Sequence, residues 1–252
     1  MEKFRKLIQR VSEERESKVI LSADRMPNEE NVIGKLIEII EKVENYICAV
    51  KIGRQITVKE GINGVKPLIQ RVKKAGLPVI FDSKLNDVTH TNRIVVYEHY
   101  KAGINAEIVS PLPGFEGGLR DIIEMSREWG YGIILLTYMS NPGAKEMFEA
   151  EIIDPHEGRL RFYEKIARMA EKWMLDGMIV GATRPRILRH IRNINENPIY
   201  AVGIGKQGGK IEEAIKNGAN YLIIGRSIIT SEKPEEIAYK YARESWKVES
   251  II

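Results

Sequence analysis

Short runs of β-branched and other apolar residues recur along the chain. Each is followed by a polar or glycine-bearing turn and then by a segment with helical spacing. The runs fall at 18–22, 46–52, 77–81, 106–109, 132–137, 177–180, 199–202 and 221–224. They are almost continuously hydrophobic, the pattern of parallel strands buried on both faces. Between them, 31–43 sets Val32, Ile33, Leu36, Ile39, Ile40 and Val43 along one stripe, with Glu38 and Glu41 off it. Segments 64–75, 92–102, 119–129, 158–175 and 211–217 repeat that spacing, and 1–15 predicts an extra helix ahead of the first strand, across the bottom of a barrel. The alternation predicts an α/β chain folded as a (β/α)8 TIM barrel. On this reading 1–252 is a single domain, with the N-terminal helix over 1–16 and the barrel over 17–242. An open doubly wound sheet alternates in the same way and is the alternative.

Length and composition fit that reading. A barrel of this kind typically takes about 250 residues, and the chain has 252. The lone cysteine, Cys48, excludes an intramolecular disulfide and a cysteine-rich zinc site. The 39 basic and 35 acidic residues nearly cancel, so charge gives no reason to expect nucleic acid. The densest basic stretch, Arg71-Val72-Lys73-Lys74, falls on a helix and reads as a solvated face. Charged residues interrupt 1–17 throughout, so no signal peptide is expected there. Apolar runs such as 133–136 and 221–224 are far short of the roughly 20 residues that span a bilayer. A cytoplasmic protein without membrane partners is expected. His90, His99, His156 and His190 lack metal-ligand spacing and read as surface or rim residues.

In a barrel of this type, chemistry belongs at the C-terminal ends of the strands. Strand one ends at Ser22-Ala23-Asp24 and strand two at Val50-Lys51-Ile52. Strand three runs into Asp82-Ser83-Lys84-Leu85-Asn86-Asp87. Lysine and aspartate seldom enter strands buried on both sides unless they are paired or working. Asp82 and Lys84 are two apart and point the same way on an extended chain, where Lys51 could meet them. Alternating cations and carboxylates keep one another ionised, which poises a lysine as a proton donor.

The later loops carry a second signal. After the seventh run comes Gly203-Ile204-Gly205-Lys206-Gln207-Gly208-Gly209-Lys210, and after the eighth Gly225-Arg226-Ser227. Glycines let backbone N–H groups approach an anion, and arginine adds a bidentate donor; barrels often bind phosphate at these two loops. Between the two regions, Met139-Ser140-Asn141-Pro142-Gly143-Ala144 opens a long connection that reads as a lid loop, from which Ser140 could reach a substrate.

Together with Thr91-Asn92-Arg93 and Gly181-Ala182-Thr183-Arg184-Pro185, these motifs and their order resemble orotidine 5′-phosphate decarboxylase, the short archaeal type in particular. The resemblance spans about 20–242. It implies a homodimer that converts orotidine 5′-phosphate to UMP, the last step of de novo UMP synthesis, with no cofactor and no metal. By the same resemblance, Lys84 is the proton donor to C6 of the pyrimidine and Asp82 faces the leaving carboxylate. Lys51 links the carboxylates and touches ribose, and Asp24 holds a ribose hydroxyl. Asp87, with Thr91 beside it, reaches into the partner subunit's site. Ser140 reads the base from the lid. Gln207 and Arg226 hold the phosphate, helped by backbone N–H groups near Gly205 and Gly225. The chain departs from the family at Val88-Thr89-His90, where Ile-Pro-Asn is frequent, and in a longer 145–159 segment. Two other readings compete. One is a Mg²⁺-dependent sister of the same barrel, a hexulose-6-phosphate synthase or ketogulonate-6-phosphate decarboxylase, but a lysine at position 51 would repel that metal. The other is an inert phosphate-binding barrel, which would have no use for Lys51, Asp82, Lys84 and Asp87 together.

Overall fold

A computed structural model describes residues 2–24 and 30–248; Met1 of the predicted N-terminal helix and 249–252 of the predicted domain lie outside the described residues. Eight parallel strands close into a barrel in the order β1-β10-β9-β8-β5-β4-β3-β2. They are β1 (Val19–Ala23), β2 (Ala49–Gly53), β3 (Val79–Leu85), β4 (Ala106–Val109), β5 (Gly132–Tyr138), β8 (Gly177–Gly181), β9 (Ile199–Val202) and β10 (Tyr221–Ile224). The remaining two, β6 (Glu151–Asp154) and β7 (Gly158–Arg161), form a separate antiparallel hairpin. The closed order rules out the open sheet. Every residue of β1, β2, β4, β5, β8 and β10 is buried, as expected of strands that face a filled barrel on one side and a ring of helices on the other.

The helices are α1 (Phe4–Glu14), α2 (Val32–Val43), α3 (Arg54–Lys74), α4 (Thr89–Ala102), α5 (Arg120–Trp129), α6 (Ala144–Phe148), α7 (Phe162–Lys172), α8 (Pro185–Ile194), α9 (Ile211–Lys216), α10 (Arg226–Ile229) and α11 (Pro234–Lys247). Local chemistry sets several of their starts. The Asn31 side chain accepts the Gly34 N–H and begins α2. Pro185 and Pro234 open α8 and α11, where a proline's missing N–H costs nothing. Helix α1 buries Phe4, Ile8 and Val11, and the Phe4 N–H donates to the Gly130 carbonyl just ahead of β5. It therefore plugs the N-terminal end of the barrel, as the sequence predicts. Among the described residues, no helix is long and apolar enough to cross a membrane.

Three expectations need correction. The segment 158–175 is not one helix: 158–161 pairs with 151–154 as a hairpin, and the helix begins only at Phe162. The long loop expected between Ser140 and a helix starting near Gly158 holds α6 and the hairpin instead. Helical spacing at 158–161 misleads because Leu160, the one apolar residue of the strand, precedes Tyr163 and Ile166 of the helix at intervals of three. His99 is not a surface residue either. Its side chain is 12% exposed and lies against the Glu107 carboxylate.

Candidate active site

The strand ends bring four charged side chains into one chain of contacts. Lys51, near the end of β2, is central: its Nζ lies 3.3 Å from Asp24 Oδ1 and 3.1 Å from Asp82 Oδ2. Lys84 Nζ lies 2.6 Å from the other oxygen of Asp82. Strand register explains the convergence. Ser22 pairs with Lys51 and Gly53 with Asp82, so the ends of the first three strands lie side by side. Two residues that the strand-end pattern did not single out complete the cluster. Ser22 donates to Asp24 Oδ2 at 2.6 Å, and Gln55, in the first turn of α3, donates to Asp24 Oδ1 at 2.6 Å. Their signal was present: Ser22 is two residues before Asp24, and Gln55 is the second residue of the helix that follows Lys51's strand.

Burial and charge compete at each group. Burial raises Asp24, but the Lys51 ammonium and bonds from Ser22 and Gln55 outweigh it, leaving the carboxyl below its ordinary value. Burial raises Asp82 too, and the ammoniums of Lys51 and Lys84 reverse the sign. Burial lowers Lys51, its side chain 7% exposed, yet the two carboxylates outweigh it and hold the ammonium above its usual range. All three groups are therefore ionised at neutral pH, and each is held so by its neighbours.

These groups line a cavity with an apolar wall of Ile108, Leu136, Ile179, Val202 and Ile223 from β4, β5, β8, β9 and β10. Ser140, Gln207 and Arg226 line it as well, and Ser140 Oγ donates to Gln207 Oε1 at 2.9 Å. The loop after β9 turns on Gly203, Gly205 and Gly208, at φ of 87°, 77° and 96°, conformations that cost glycine least. Gly225 is required for closeness: a Cβ there would sit 3.0 Å from Ser22 Cβ and 3.2 Å from Asp24 Oδ2. Backbone thus approaches the charged cluster from the glycine side as well. The N–H of Gly205 itself donates to the Gly209 carbonyl, and Gly205 does not line this cavity. Helix α10 is a single turn, too short to add much of a helix dipole to the charge of Arg226 at its start.

Asp87 and Thr91 are not brought in. Neither lines the cavity of its own chain, and Asp87 is exposed, its carboxylate accepting the Val88 N–H at 2.8 Å. Asn92, fully buried, donates to the carbonyls of Asp87 and Gly118 and ties that loop to the barrel. Among the described residues, no group of three or more His, Cys, Asp or Glu side chains is gathered as a metal site.

A closed parallel barrel that gathers ionised groups and a glycine-rich loop over the C-terminal ends of its strands is a (β/α)8-barrel enzyme. Residues 17–241 match the Orotidine 5′-phosphate decarboxylase / HUMPS family, and the chain belongs to it. It is 32% identical over 233 residues to the orotidine 5′-phosphate decarboxylase of Methanosarcina mazei, covering 92% of this chain and 96% of that one. It is 36% identical over 212 residues to the enzyme of that name from Pyrococcus furiosus, covering 83% and 91%. The crystal structure of orotidine 5′-monophosphate decarboxylase from Methanocaldococcus jannaschii, complexed with the inhibitor BMP, superposes with a TM-score of 0.75 at 29% identity, covering 90% of this chain and 98% of that one.

Proposed function

We propose that this chain is an orotidine 5′-phosphate decarboxylase that needs neither cofactor nor metal. The observation that carries the reading is the unbroken contact chain Asp24–Lys51–Asp82–Lys84 on the wall of one cavity with Arg226 and Gln207. The C6–carboxylate bond of the substrate breaks and CO₂ leaves. The electron pair stays on C6, and the Lys84 ammonium supplies the proton that completes UMP. The neutral amine then takes a proton from water. Carbon 6 has no adjacent electron sink, so the developing charge must be met by groups already fixed in place, and a fixed ammonium in an apolar-walled cavity does this without reorganisation. Asp82, held ionised, opposes the substrate carboxylate and favours its loss. Lys51 keeps both carboxylates charged and faces ribose, with Asp24 on a ribose hydroxyl. The phosphate does not react; its contacts with Gln207, Arg226 and the N–H groups near Gly225 supply binding energy to hold the pyrimidine against Lys84. Ser140, bonded to Gln207, couples the base end to the phosphate end.

The Mg²⁺-dependent alternatives are not favoured, because the Lys51 ammonium already stands between the two carboxylates a metal would need. We further propose a two-fold dimer in which Asp87, exposed beyond β3, and the half-buried Thr91 of α4 complete the partner's cavity. The step belongs to pyrimidine synthesis and to the cytoplasm. The test is Lys84→Ala. Turnover of orotidine 5′-phosphate should vanish while UMP affinity stays within a few-fold of wild type; near-normal turnover would reject Lys84 as the donor.

A further inference from the structure

Strand β3 does not run evenly beside β4. Phe81 pairs with Glu107 and Leu85 with Val109, so the path from 81 to 85 is matched by only 107 to 109. Asp82-Ser83-Lys84 stand opposite the single residue Ile108, two residues more than an even ladder would hold. Lys84 has φ of 50°, a left-handed conformation that a non-glycine residue keeps only when its surroundings dictate it. Something must hold this bulge.

The holding group lies behind the site. The Ser83 hydroxyl donates to the Glu107 carboxylate and lies 3.4 Å from the Ile108 carbonyl. Glu107 is fully buried. It accepts the Tyr131 hydroxyl at 2.9 Å and meets His99 Nδ1 at 2.8 Å. The His99 ring packs edge-on against Phe81, centroids 4.5 Å apart, just before the bulge. A carboxylate in a buried strand is costly unless donors surround it, and here β3, α4 and the residue leading into β5 each supply one. Neither Glu107, His99, Tyr131 nor Ser83 lines the cavity, so the reacting atoms give none of them a direct task. Fully bonded buried networks favour one geometry over its neighbours.

We propose that Glu107, acting through Ser83, is a positioning residue that holds the β3 bulge in the conformation bringing the Lys84 ammonium onto Asp82, and so sets the reach of the proton donor. This rests on the decarboxylase reading above. Ser83→Ala breaks the link and leaves Glu107 its other two partners. It should lower kcat about tenfold or more, with KM and UMP affinity within about twofold, because a misplaced donor harms the transition state and not ground-state binding. Amides of 82–85 should exchange with deuterium faster than in wild type while the rest of the barrel is unchanged. Ser83→Thr, which keeps the hydroxyl, should restore both. With wild type active, a kcat for Ser83→Ala within about twofold of wild type overturns the proposal. So does a loss that Ser83→Thr does not rescue, or faster exchange spread over the whole barrel. An inactive wild type would strike the decarboxylase reading alone, and the exchange comparison would still decide whether this contact holds the segment.

Discussion

Replacing Lys51 by methionine keeps the length of the side chain and removes the charge that links Asp24 to Asp82. Lys51 makes two charge-assisted contacts, at 3.3 and 3.1 Å, with its side chain 7% exposed and the carboxylates 29% and 15% exposed. At the effective dielectric that suits such sites, each contact is worth about 5 kcal/mol before desolvation. Desolvating one ammonium takes back several kcal/mol, and stripping one partner from a buried pair typically costs about 3–5 kcal/mol net. Asp82 keeps Lys84, and Asp24 keeps Ser22 and Gln55, so the lower end applies: about 3 kcal/mol at pH 7. For a chain of this size that is about 6–12 °C in Tm. The pH dependence has a fixed sign. The depressed Asp24 and Asp82 stabilise the wild type above their unfolded value, near pH 4, and that contribution is lost as pH falls through the folded values. The raised Lys51 contributes fully below its unfolded value, near pH 10, and is lost as pH rises through the folded one. Lys51→Met removes the largest cause of the depression at both carboxylates, so the gap between variant and wild type should narrow from pH 7 toward pH 3. Thermal melts of both proteins across that range read it directly. A variant within about 1 kcal/mol of wild type at pH 7, or a gap that stays constant as the carboxylates protonate, would refute the electrostatic account of the cluster.

Arg226→Ala should weaken UMP binding by about 2–4 kcal/mol while leaving the turnover of saturated enzyme far less affected, as calorimetry and kinetics together would show; unchanged affinity removes Arg226 from the phosphate site. The dimer proposal predicts complementation. Lys84→Ala and Asp87→Ala should each be inactive, yet a refolded equal mixture should recover about a quarter of wild-type activity, since half the dimers are mixed and each mixed dimer holds one intact site. A mixture no more active than its parts would place Asp87 outside the partner's site.

Much of the fold was legible because parallel barrel strands announce themselves: the runs at 106–109, 199–202 and 221–224 coincide with β4, β9 and β10 to the residue. The hairpin at 151–161 was not, because its β7 strand, Gly-Arg-Leu-Arg, buries only Leu160 and so carries no apolar run. The charged cluster could be read from strand ends, since Lys51, Asp82 and Lys84 are costly in a buried strand without partners. The route to it could not. Asp82 and Lys84 do meet, but by a bulge and a positive φ, not by plain alternation along an extended strand. Glu107 was the visible signal of that bulge, a charge inside the apolar run Ala-Glu-Ile-Val, and the buried-charge rule that found Lys51 applies to it equally. His99 looked peripheral because its partner is eight residues on in sequence and on a different element. Asp87 and Thr91 lie outside the cavity of their own chain, so the role expected of them rests on the dimer proposal.

The central claim is that this charge cluster decarboxylates without help. It is tested most directly by treating the purified chain with EDTA, removing the chelate and following loss of orotidine 5′-phosphate by absorbance, with UMP identified as product. The account predicts rapid conversion that added Mg²⁺ does not accelerate. No conversion, or conversion only when Mg²⁺ is restored, would contradict it.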